Sequence, residues 1–163
     1  MTLLMTGSPA LMFTRSLLTT ALAIALSGSS WAAQKLEVNT LMKNKISSFS
    51  ESQMTVKAGD DIEITVQNSS TDPKEYRNWV LVTPGSESAV MTSAMNAGAE
   101  KQWAPSGGQI IAQSKLIPPG DSEVVRFKAP SSPGEYPYFC TFPGHFMTMK
   151  GKLVVRAAGK GGK

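Results

Sequence analysis

Tyr136-Pro137-Tyr138-Phe139-Cys140-Thr141-Phe142-Pro143-Gly144-His145-Phe146-Met147-Thr148-Met149-Lys150-Gly151-Lys152 holds the only cysteine and the only histidine of the chain. Tyr136 to Cys140 reads as a strand, Phe-Pro-Gly as a tight turn, and the residues after Lys150 as a return strand. The spacing is Cys-x4-His-x3-Met, so a thiol, an imidazole and a thioether can meet at one point. Thiolate and thioether are soft donors and imidazole is borderline, a set that suits copper better than magnesium or calcium. Alone, Cys140 reads as a small buried hydrophobe and His145 as a satisfied polar residue near a turn. Their joint spacing with Met149 points to a metal. One Cys and one His fall short of a closed zinc site. A Cys–His nucleophile lacks an evident third, orienting residue, so no enzyme is expected.

Outward from this segment the chain alternates apolar and polar residues in short runs. Leu36 to Asn39, Met54 to Lys57, Ile62 to Val66, Trp79 to Val82, Gln109 to Gln113, Val124 to Lys128, Tyr136 to Cys140 and Lys152 to Arg156 read as strands. Ala58-Gly59-Asp60-Asp61, Pro84-Gly85, Pro118-Pro119-Gly120-Asp121 and Ser131-Ser132-Pro133-Gly134 are the turns between them. Seven or eight strands at this spacing predict an all-β Greek-key β-sandwich. Ser86 to Gln102 reads as a flap, either a short helix or, because Gly98 interrupts the pattern, an irregular segment. Asn68-Ser69-Ser70 fits the glycosylation pattern.

Composition agrees. The 163 residues include 14 glycines and 10 prolines, against long helices, and the net charge of +4 is scattered, against a nucleic-acid partner. Arg15, the apolar run Leu17 to Leu26 and Ser30-Trp31-Ala32-Ala33 have the order of a secretory signal peptide. Residues 1–33 are therefore expected to be removed, with the natural start at Met12. The apolar run is too short for a permanent membrane span, so no stable membrane insertion is expected. Residues 34–156 form the expected domain and 157–163 a flexible tail. Export implies an oxidising compartment, where one unpaired thiol calls for burial or a metal.

The Cys-Thr-Phe-Pro-Gly-His loop resembles the copper-binding loop of the azurin-like blue copper proteins, of the cupredoxin family. Arg77-Asn78-Trp79-Val80-Leu81 is similar to their His-Asn-Trp-Val-Leu strand, and Ile110 to Ile117 and Met149 to Leu153 are similar to their later strands. The resemblance implies a cupredoxin-like sandwich, one type 1-like copper ion and outer-sphere electron transfer in the periplasm or another exported compartment. It assigns Cys140 as thiolate ligand, His145 as imidazole ligand and Met149 as axial thioether. Met147 has the wrong offset. Asn78 and Thr141 match residues that tie the two ligand loops together. Phe142, Pro143, Phe146 and Met147 surround His145 and give an apolar docking patch for redox partners.

One departure falls at a ligand. Where the resemblance places the first histidine ligand stands Arg77, preceded by Tyr76 in place of a glycine. A guanidinium has no lone pair to offer a metal. Three outcomes follow: copper bound by the remaining three side chains with water or a carbonyl, a Cu(I)-preferring site for capture or delivery, or a metal-free binding module.

Overall fold

The alternation in the sequence becomes nine strands in the computed structural model, which describes residues 33–43 and 46–158. In chain order they are β1 (Gln34–Lys43), β2 (Ile46–Phe49), β3 (Gln53–Lys57), β4 (Asp61–Gln67), β5 (Val80–Val82), β6 (Ile110–Gln113), β7 (Ser122–Lys128), β8 (Gly134–Phe139) and β9 (Lys150–Arg156). The expected seven or eight strands thus become nine, the addition being β2. Of the expected leader only Ala33 is described, and 159–163 of the expected tail lie outside the described residues.

Two sheets form, in the orders β2-β1-β4-β7 and β3-β9-β8-β5-β6. β1 pairs with β4 and β3 with β9 in parallel, and the other neighbouring strands are antiparallel. Alternate residues point into one shared core. Val38, Ile62, Ile64, Val66 and Val125 come from the first sheet, and Met54, Val56, Leu81, Leu153 and Val155 from the second. Each such burial contributes about 1.5–3 kcal/mol. Trp79 joins the layers, its ring 5.9 Å from Phe127 and 5.5 Å from Tyr138.

The flap is helical. Helix α1 (Glu87–Ala97) lays Val90 against Val80, Val82 and Phe139 on the outer face of the second sheet. That explains why β5 is apolar at every position: both of its faces are covered. Gly98 ends the helix rather than disrupting it. Its φ of 65° with ψ of −173° is a conformation open essentially to glycine, and its N–H still bonds Ala94 O. A 3-10 turn (Ala99–Lys101) follows, and Gln102 and Trp103 then take φ of 55° and 53°, unusual for residues with side chains. This backbone brings the flap's end to one end of the sandwich.

Candidate metal centre

Cys140 follows directly on β8, and the next nine residues turn back to β9. His145 N–H donates to Phe142 O at 3.1 Å and Met149 N–H to His145 O at 2.7 Å, while Cys140 N–H donates to Met149 O at 3.0 Å. Gly144, at φ 86°, makes the turn possible. These bonds bring the three expected ligand residues together at the backbone. Cys140 and Met149 are fully buried and His145 nearly so. Cys140 Sγ lies 3.6 Å from His145 Nδ1. Met147, by contrast, is 72% exposed, as its offset implies.

The segment before β5 meets this loop from the other side. Asn78 N–H points at Cys140 Sγ at 3.5 Å. Its side chain clamps Thr141 twice: Nδ2 donates to Oγ1 at 2.6 Å, and Oδ1 accepts from the Thr141 N–H at 2.8 Å. Thr141 Oγ1 in turn donates to Trp103 O at 2.7 Å, so the strained end of the flap belongs to the same frame. The Asn78 bonds are buried and the bond to Trp103 partly so, and each satisfied bond there also removes the cost of an unpaired polar group.

Arg77 is buried beside this frame, 1% exposed. Its backbone pairs with Ile117 in an isolated bridge. Nη1 donates to Tyr76 O at 2.9 Å and Nη2 to Ser47 Oγ at 2.9 Å, and Nη2 also pairs with the Glu75 carboxylate. Glu75 Oε2 lies 3.4 Å from His145 Nε2. The His145 ring leans on Phe142 at 5.1 Å, which stacks on Tyr76 at 6.5 Å. Glu75 and Ser47 are site residues that the sequence reading missed. Neither lies near Cys140 in the chain, and neither carries a motif.

Electrostatics follow from burial. In the metal-free protein burial pushes the Cys140 thiol up to about 11, against the opposing pull of the Asn78 and Phe142 N–H groups and the Arg77 charge. Burial thus favours the neutral thiol as long as no metal is bound. Burial, then the Arg77 charge, lowers His145 to about 4, with Glu75 acting in the opposite sense. A neutral imidazole is the form that can bind a metal.

Among the described residues no three His, Cys, Asp or Glu side chains are arranged to hold a metal ion by themselves. A metal here depends on the thioether as well as the thiol and imidazole, and that donor chemistry fits copper. Asn68 is fully buried, with Nδ2 bonded to Glu75 O and Ile117 O, both at 2.9 Å. Its amide is thus committed to holding the loop that carries Glu75.

Residues 36–156 match the family of copper binding proteins, plastocyanin/azurin family. The chain belongs to that family. Auracyanin-A of Chloroflexus aurantiacus is 36% identical over 110 residues, covering 66% of this chain and 66% of the relative. An azurin of Achromobacter denitrificans is 43% identical over 79 residues, covering 47% and 53%. The matched region thus spans between about half and two thirds of these relatives' length. The solved structure of Chloroflexus aurantiacus auracyanin A, described as a "blue" copper protein, superposes with a TM-score of 0.68 at 32% identity, covering 77% of this chain and 100% of that one. For this plastocyanin/azurin-family chain the β-sandwich is therefore the fold shared with its relatives, and it carries a short helical flap. The buried cluster at one end of it is the candidate metal centre.

Proposed function

We propose that the protein is an exported, azurin-like copper protein acting in outer-sphere electron transfer, its metal held by Cys140, His145 and Met149. The observation that carries this reading is the buried pairing of Cys140 Sγ with His145 Nδ1 at 3.6 Å inside a loop closed by backbone hydrogen bonds. Copper held by a thiolate supplies a one-electron couple. The chain's part is to keep the donors still: the Asn78–Thr141 clamp and the Met149–His145 and Cys140–Met149 backbone bonds oppose rearrangement. A second role is to exclude water, which the burial of Cys140 and Met149 achieves. The third is access. Exposed Pro143 and Met147 and half-buried Phe142 and Phe146 form the proposed docking patch for redox protein partners near His145. Export rests on the leader read in residues 1–33. Among the described residues no helix is long and apolar enough to cross a membrane.

Buried Arg77 favours a second reading. It occupies the position where the resemblance expects an imidazole ligand, and its fixed charge acts on Cys140. A cation beside the thiolate opposes added positive charge and so favours Cu(I) over Cu(II). A strong enough bias makes the protein a Cu(I) capture or delivery module; a metal-free binding module, with Arg77 filling the gap, is the remaining alternative. Loading the protein separately with Cu(I) and Cu(II), with metal analysis and a visible spectrum, separates these readings. One copper per chain with reversible colour on oxidation supports electron transfer. Stable Cu(I) that cannot be oxidised in place supports capture or delivery. No stoichiometric copper in either state defeats the copper reading.

A further inference from the structure

His145 is the only histidine of the chain, and its two nitrogens face different chemistry. Nδ1 is 3.6 Å from Cys140 Sγ, and Nε2 is 3.4 Å from Glu75 Oε2. In a neutral imidazole one nitrogen carries hydrogen and the other a lone pair. Two arrangements compete. In one, Nδ1–H points at sulfur and no lone pair faces the thiol. In the other, Nε2–H faces Glu75, the thiol donates to Nδ1, and the lone pair is aimed where a metal would sit.

Ring packing cannot choose between them. Phe142 and Tyr76 fix the plane of the imidazole but are indifferent to which nitrogen is protonated. Glu75 can choose, because a carboxylate only accepts. Its Oε2 is held against the imidazole by Arg77 Nη2, itself fixed by Ser47 Oγ and, through Nη1, by Tyr76 O.

We propose that Glu75, clamped by Arg77, is a positioning residue for His145: it selects the Nε2–H form and keeps the Nδ1 lone pair directed at the Cys140 thiol. Arg77, which cannot ligate, then acts on the site from outside the ligand set. A ligating histidine that donates its other N–H to a carboxylate is a general device for fixing ring orientation and raising ligand basicity. The consequence for copper rests on the proposed function above; the choice of tautomer does not.

The experiment is imidazole nitrogen NMR on ¹⁵N-labelled, metal-free protein, where a single histidine leaves no assignment ambiguity. The wild type is expected to show protonated Nε2 and unprotonated Nδ1; the reverse pattern overturns the proposal without any variant. Glu75→Leu alone strands a buried guanidinium, so it is made in an Arg77→Leu background and compared with Arg77→Leu by itself. Loss of the single wild-type form is expected, either in Arg77→Leu, where the carboxylate is unclamped, or on adding Glu75→Leu; a double variant that keeps the wild-type form overturns the proposal. Glu75→Gln keeps an acceptor oxygen and is expected to keep the wild-type form. In parallel, competition with a Cu(I) chelator is expected to show roughly 10–100-fold weaker Cu(I) binding on adding Glu75→Leu to Arg77→Leu. Failure of every variant and the wild type to bind copper defeats the copper reading, while the tautomer result still decides the role of Glu75.

Discussion

The loop from Cys140 to Met149 and the segment from Glu75 to Asn78 meet at one site but are built on opposite principles. The loop positions groups that are neutral in the metal-free protein, thiol, imidazole and thioether, by hydrogen bonds of its own backbone. The segment buries an ion pair, with Arg77 held by Glu75, Ser47 and Tyr76. Between them Asn78 belongs to both, bonding Cys140 and Thr141. The difference teaches that donor geometry and site charge are set separately. The frame around the thiol survives even though the residue next to Asn78 is one that no metal can use as a ligand.

The largest expected effect tests the loop side. Cys140→Ser removes the soft anionic donor, and copper affinity is expected to fall by more than the tenfold to hundredfold typical of a lost outer-shell partner. Any strong visible absorption disappears with it. Equal copper binding by wild type and variant, measured by equilibrium dialysis, assigns the metal to an adventitious surface site and dissolves the comparison.

Next in size is the segment side. Arg77→His replaces a fixed cation with a donor, and an intense thiolate-to-copper absorption is expected with a shift of preference toward Cu(II). A wild type already as intensely blue as its variant shows that another donor fills the position and that the two regions are not distinct in kind.

Thr141→Val cuts the tie between them. It leaves Asn78 Nδ2 and Trp103 O without their buried partner, an expected loss of about 2–4 kcal/mol by urea denaturation. A loss below about 0.5 kcal/mol means that the two regions are not mechanically coupled through this hydroxyl.

The smallest effect is a pH dependence of the metal-free protein. His145 is lowered from an ordinary 6.5 to about 4 by burial first and the Arg77 charge second. Between these values the unfolded chain binds more protons than the folded one, so stability is lost as pH falls through that window. Arg77→Leu is expected to move the NMR titration of His145 upward; no movement means that burial alone sets it.

Eight strands were legible, most because their inward positions are apolar at period two and β5 as a short, continuously apolar run. β2 was not: one of its two inward residues is Ser47, which is buried to bond Arg77, and that breaks the alternation. The helix was half-legible, since Gly98 looks like an interruption until its positive φ shows it to be a terminator. At the site Cys140, His145 and Met149 lie within ten residues of one another and announce themselves by spacing. Glu75 lies 70 residues before His145 in a polar loop, and only the sheet order brings its carboxylate to the imidazole. The Trp103 carbonyl has no sequence signal at all, being a backbone group placed by two left-handed residues.

The position of β9 has a consequence for the order of events in folding. It is the last strand in the chain, yet it lies between β3 and β8, paired in parallel with one and antiparallel with the other. Until it docks, β3 has no neighbour in its sheet and the return of the Cys140 loop has nothing to end on. Nearly the whole polypeptide must therefore be available before the second sheet can close. Such distant pairings incur their loop-closure entropy before any contact repays it, which makes folding slow for a domain of this size. A nascent chain ending before Lys150 is thus left with an open hydrophobic seam, and the candidate metal centre is among the last parts of the molecule to exist.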